Sequence, residues 1–83
     1  MAATGATKGL ATIVGENLQT ARTEAGMTQH GLAVAHGGVD AMAISRWERG
    51  VNRPADANLL RLGEVLGRQM VWFLTEHSEA EAA

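Results

Sequence analysis

The sequence predicts an all-α domain of five short helices, and three observations carry that reading. Apolar residues recur at intervals of three or four and never in a sustained two-residue alternation, which is the period of a helix face and not of a half-buried strand. Glycine and proline interrupt the pattern at Gly26, Gly37-Gly38, Gly50 to Pro54 and Gly67, cutting the chain into pieces of helix length. No cysteine is present, so neither disulfides nor thiolate metal sites can hold the fold, and 83 residues must form one small core unaided. At 46% hydrophobic and 19% charged, the composition suits a packed globule and is too apolar for a disordered chain.

A first helix is expected from about Thr12 to Ala25, with Ile13, Val14, Leu18, Ala21 and Ala25 along one stripe and Gly26 as its left-handed stop. Thr28 is a good N-cap for a second, which carries Leu32, Ala33 and Ala35 before the double glycine. Asp40 caps a third, where Ile44 and Trp47 share one face before Gly50. Pro54 suits the opening of a fourth, in which Leu59, Leu60, Leu62, Val65 and Leu66 precede Gly67. The apolar run from Met70 to Leu74 makes a short fifth. Residues 1–11 read as a flexible leading segment, 12–75 as the folded domain, and 76–83, acidic and alanine-rich, as a fraying tail. Nothing in the sequence suggests an internal repeat or a second domain.

Several function classes are disfavoured. The opening MAATGATKGLAT is small and polar, unlike a signal-peptide core, and the longest apolar stretch is far short of the ~20 residues that cross a bilayer. A cytoplasmic protein without membrane contact is therefore expected. His30 and His36 are six apart, off one helical face and separated from His77, which argues against a metal site. Ser45 and Ser78 lack a recognisable base and orienting acid, and no glycine-rich phosphate loop follows a strand. Neither enzyme activity nor a cofactor is expected.

The most informative stretch runs from Met27 to Pro54: M-T-Q-x-x-L-A, a glycine turn, then V-D-x-x-x-I-S-R-W-E-R-G-x-x-x-P. With R-x-x-x-G-M-T-Q ahead of the turn and L-x-R-L-x-x-x-L-G behind it, the chain from about Asn17 to Leu74 resembles the XRE-type helix-turn-helix family of lambdoid phage repressors and Cro proteins. Many separated positions agree in register. The resemblance implies a compact five-helix, lambda-repressor-like domain that binds an operator in double-stranded DNA. Physics points the same way, because a helix projected by a tight turn fits the ~12 Å major groove of B-DNA.

Opposite Ile44 and Trp47, the third helix presents Ala41, Met42, Ser45, Arg46 and Arg49. Arg46 can contact guanine O6 and N7 with both prongs of its guanidinium. By the resemblance, Ala41, Met42 and Arg46 fall where the family's base-reading residues lie, with Ser45 beside them. Ala41 and Met42 lack hydrogen-bonding side chains and can read only apolar features such as a thymine methyl. Phosphate contacts are expected from Thr28 and Gln29 at the start of the second helix, and from Arg49, Asn52 and Arg53 at and after the end of the third. Gln29 as a solvated helix start, Asn52 as a turn former and Arg53 as a surface charge are the plain structural alternatives. The resemblance further implies that Arg22 and Glu48 form a partly buried ion pair, which would withdraw that acid from the DNA-facing surface.

A net charge of −2 counts at first against a polyanionic partner. Its distribution reverses the inference: from Ala41 to Pro54 there are three arginines and one glutamate, whereas Glu76, Glu79 and Glu81 lie in the tail, so Met1 to Thr75 carries +1. Screening at physiological salt acts over ~8 Å, and a distant tail cannot neutralise a local cationic face. So few cations mean weak non-specific binding, for which a dimer or tandem sites would compensate.

Two departures from the family pattern stand out. The family usually places its turn glycine five residues after the position of Leu32 and its isoleucine eleven after; Gly37 conforms, but Ile44 lies twelve on, so Gly37-Gly38 adds one residue. Two glycines can absorb the insertion through positive φ, and the angle between the second and third helices becomes the open quantity. In the second departure, the spacing in L-G-R-Q-M-V-W-F-L turns Met70, Phe73 and Leu74 inward and leaves Val71 and Trp72 outward, which makes Trp72 with Val71 a candidate homodimer contact. That Trp72 completes the small core is an equal alternative.

A sequence-specific transcriptional regulator that occupies an operator is therefore the leading expectation. The absence of a sensor or oligomerisation domain after residue 83 favours a Cro-like phage or prophage repressor. Two alternatives stay open: an antitoxin-type protein that binds a toxin partner and regulates itself, and an adaptor that has lost DNA binding.

Overall fold

Side-chain caps and left-handed glycines set most of the helix ends. In the computed structural model, which describes residues 8–77, the order is α1 (Leu10–Glu24), α2 (Gln29–His36), α3 (Ala41–Glu48), α4 (Asp56–Leu66) and α5 (Met70–Leu74), with no strand among the described residues. Thr28 Oγ1 accepts the Gly31 N–H at 2.9 Å and opens α2; Asp40 Oδ1 accepts the Ala43 N–H at 2.9 Å and opens α3. Gly26, after α1, takes a φ of 72° and Gly37, after α2, one of 87°. The expectations for residues 1–7 and 78–83, parts of the leading segment and the tail, lie outside the described residues.

Three boundary expectations need correction. Helix α1 opens at Leu10 and not at Thr12, because the backbone of Gly9 supplies the cap and the Ile13 N–H reaches its carbonyl at 3.1 Å. Helix α4 opens at Asp56 with Ala55 as its N-cap, so Pro54 is not its first residue but a buried residue just ahead of the cap. Of the paired glycines only Gly37 has positive φ, so the longer turn is absorbed by one left-handed residue, not two.

Val14, Leu18, Leu32, Ile44, Leu59, Leu62 and Phe73 are fully buried, with Trp47 and Ala21 nearly so, and this single cluster draws on all five helices. Burying each of the larger side chains contributes roughly 1.5–3 kcal/mol. Ala25, expected on the apolar stripe of α1, is exposed instead, and Ala35 and Leu60 are exposed as well. Ala25 falls beyond the last helical residue of α1, where the stripe has no partner to meet.

Close approach of α1 to α3 depends on Gly15, where a Cβ would overlap the carbonyl oxygens of Trp47 and Glu48. Helix α5 is fastened to α1 by the buried Asn17, whose Nδ2 donates to the carbonyls of Phe73 and Thr75 at 2.8 and 2.7 Å and lies 3.2 Å from that of Trp72. These carbonyls belong to the end of a short helix and its exit, where that of Trp72 also accepts the Thr75 N–H at 3.4 Å. No helix among the described residues is long and apolar enough to cross a membrane.

Candidate nucleic-acid interface

Helix α3 is held from beneath by its apolar face and by one charged fork. Ile44 and Trp47 point into the core, which turns Met42, Arg46 and Arg49 to solvent and leaves Ala41 and Ser45 half-buried at the edge. Its amphipathic spacing is what a docked helix with one free face requires. At its end the Gly50 and Val51 N–H groups donate to the carbonyls of Trp47 and Arg46 at 3.1 and 3.0 Å, closing the last turn and releasing the chain into the loop that carries Asn52 and Arg53, both exposed.

Arg22 and Glu48 meet beneath this surface. Arg22 Nε donates to Glu48 Oε2 at 2.6 Å and Nη2 to Oε1 at 3.1 Å, while Nη1 donates to the Met27 carbonyl at 2.8 Å. Their side chains keep only 12% and 4% of their exposure. The hydrogen bonds to Glu48 push Arg22 above the ordinary arginine range and outweigh its desolvation, so the cation is present at every working pH. One residue thus ties α1 to α3 and to the α1–α2 turn. Gln29 Nε2 adds a further donor to Glu48 Oε1 at 3.0 Å. The carboxylate therefore receives three side-chain donors, and the acid in α3 is answered from inside the fold.

The remaining expected residues divide. Thr28 caps α2 with its hydroxyl; Arg53 Nη2 holds Asp56 Oδ1 at 3.0 Å; Asn52 stands in the loop. Arg49 Nε donates to Ser45 Oγ at 3.3 Å, and Arg46 Nη2 lies 3.5 Å from Met42 Sδ. Away from this face, Val71 is 61% exposed, but Trp72 is half-buried against the core, edge-on to Phe73 with ring centroids 5.3 Å apart, with Arg68 4.1 Å above its ring and His77 stacked at 4.7 Å. Val71 is thus open to solvent, and Trp72 only in part.

Residues that position the site without a visible sequence signal are Gly15, Asn17 and His36. The buried His36 ring lies under the lengthened turn: its Nδ1 accepts the Gly38 N–H at 3.1 Å, and its carbonyl accepts from Arg61 Nε of α4 at 3.1 Å. Its place at the last position of α2, two residues before the second glycine, was the only available cue.

A helix presented this way after a capped helix and a glycine turn defines a helix-turn-helix domain. The family model described as Helix-turn-helix (HTH_3) matches residues 18–73, and the chain belongs to that family of DNA-binding transcription regulators. Two solved structures are similar. One, described as a hypothetical transcription factor, NHTF, from Neisseria, shares 25% identity over 87% of this chain and 82% of its own, with a TM-score of 0.78. The other, the P22 c2 repressor in complex with synthetic operator 9T in the presence of Tl+, shares 31% identity over 77% of this chain and 96% of its own, with a TM-score of 0.72. Among curated proteins none matches the chain.

Proposed function

We propose that this chain binds operator DNA through α3 and represses transcription by occupying it, as a Cro-like regulator of phage or prophage type acting in the cytoplasm. One observation carries the reading. Among the described residues Arg22, Arg53, Arg61 and Arg68 are each paired with a carboxylate, whereas Arg46 and Arg49 rest only on Met42 and Ser45 of their own helix. The arginines not committed to an internal anion are the two on the outward face of α3. The P22 c2 repressor, solved with an operator, supports the same direction.

On this reading Arg46 reads guanine, with Ala41, Met42 and Ser45 along the same groove wall, while Thr28, Gln29, Arg49, Asn52 and Arg53 lie towards the phosphates. Two free cations give little sequence-independent affinity, so two copies binding two half-sites fit the charge better than one. Exposed Val71 and the rim of Trp72 on α5 are the proposed homodimer contact. Selection of bound duplexes from a random pool tests the function: enrichment of a shared sequence supports it. Absence of any enriched duplex refutes it and makes a protein partner, such as a toxin, the reading to test.

A further inference from the structure

Peroxide chemistry in this chain falls on thioether sulfur. The sequence holds four methionines and no cysteine, so methionine is the side chain a hydroperoxide attacks most readily. The four are not equally open. Met27 and Met70 are half-buried against the core, and Met1 lies outside the described residues, whereas Met42 is 59% exposed on α3. Its Sδ lies 3.5 Å from Nη2 of the exposed Arg46, one turn along the same helix. Among the described residues no carboxylate holds that guanidinium, and the neighbouring Ser45 hydroxyl already accepts from Arg49 Nε at 3.3 Å. A thioether is a weak acceptor, so the reduced protein holds Arg46 only lightly.

From this contact we propose that Met42 is a reversible oxidation site whose sulfoxide captures Arg46; that the capture weakens operator binding rests on the DNA-binding reading above. Hydrogen peroxide supplies the oxygen. The sulfur lone pair attacks it, an S–O bond forms as the O–O bond breaks, the proton of the transferred oxygen passes to the leaving one, and water departs with the sulfur oxidised by two electrons. A thiol-dependent sulfoxide reductase reverses the step, releasing that oxygen as water while two thiols become a disulfide. The sulfoxide carries a polarised S–O group whose oxygen lies within reach of the same Nη2, and a charged donor bonds oxygen far more firmly than it bonds a thioether. Arg46 then joins the arginines committed within the fold. To present its donors to anything outside the helix it must first give up that bond.

The test treats the full chain with hydrogen peroxide, locates the added oxygen by peptide mass spectrometry, and compares each variant's affinity for the selected duplex with that of its own untreated form. Met42 is expected to oxidise ahead of Met27 and Met70. The oxidised parent is expected to bind about tenfold more weakly, the effect of one hydrogen bond to a charged group, and sulfoxide reductase with a thiol to restore it. Met42→Leu has no sulfur to oxidise at that position and Arg46→Ala no guanidinium to capture, so treatment should leave each near its own untreated affinity. A loss in Met42→Leu equal to the parent's traces the effect to another residue, including unfolding through the half-buried methionines. An equal loss in oxidised Arg46→Ala shows that the sulfoxide acts without Arg46. Either result, or oxidation of Met27 or Met70 before Met42, overturns the proposal while leaving DNA binding intact. If the parent binds no duplex, the underlying reading fails, and the capture is still decided by nitrogen NMR of the Arg46 guanidinium: signals that shift on oxidation support it, and unmoved signals overturn it.

Discussion

At the scale of single residues the molecule sorts its arginines by what answers them. Arg22 faces a carboxylate that is 4% exposed, and removing it would leave the Glu48 carboxylate, among the described residues, with Gln29 as its remaining side-chain donor. Arg22→Ala is therefore expected to destabilise the domain by about 3–5 kcal/mol and to lower Tm by more than about 10 °C, read by thermal circular dichroism. An unchanged Tm would mean that the pair contributes no more than a surface one. Because Arg22 is pushed above the ordinary arginine range, its contribution is full at all lower pH and is lost only in strongly alkaline solution; the arginine itself introduces no pH dependence between pH 5 and pH 9 on the order of anything measurable. Among the described residues Arg49, by contrast, holds only a serine hydroxyl. Arg49→Ala is expected to weaken binding to all duplexes alike and to reduce the salt slope of log K by about 1, measured by titration at several salt concentrations.

Among the elements, the turn between α2 and α3 carries the largest difference between sequence and structure. A doubled glycine suggests two left-handed residues, yet only Gly37 has positive φ, and Gly38 is held by the His36 ring. Gly37→Ala is thus expected to cost about 1–2 kcal/mol, whereas a Cβ on Gly38 would sit 3.4 Å from His36 Cε1, an ordinary contact, and Gly38→Ala should stay within about 0.5 kcal/mol of the parent in denaturant unfolding. Equal costs at both positions would contradict this account of the turn. The caps Thr28 and Asp40 and the stops Gly26 and Gly37 were legible because their chemistry is local and lies in adjacent residues. Helix α1 opened earlier than its sequence suggested because Gly9 caps with backbone alone. Alanine was the poorest guide to burial, since Ala21 and Ala33 are buried but Ala25 and Ala35 are not, and a methyl group marks neither surface. Gly15 and Asn17 were illegible for another reason: the carbonyls that need them lie about thirty or more residues away along the chain.

For the whole molecule, charge placement matters more than total charge. Among the described residues, the outward surface of α3 combines two arginines unpaired with carboxylates and an acid satisfied from within, although the sequence as a whole is net negative. This pattern was largely readable from the family motif, but the division of arginines between internal pairs and open surface required the fold. Trp72 illustrates the same limit: the sequence left it equally outward or inward, and it lies half-buried between Arg68, Phe73 and His77, with Val71 the more open of the two. If α5 forms the homodimer contact, Val71→Ser should lower the sedimenting mass at a concentration where the parent dimerises; an unchanged dimer would move the contact elsewhere. The central claim is that α3 reads bases through Arg46. It is tested most directly by measuring the affinities of parent and Arg46→Ala for the selected duplex and for its single-base variants. Selective loss of discrimination at one guanine, on the order of 1–3 kcal/mol, is the predicted result; a uniform weakening across all variants would contradict it.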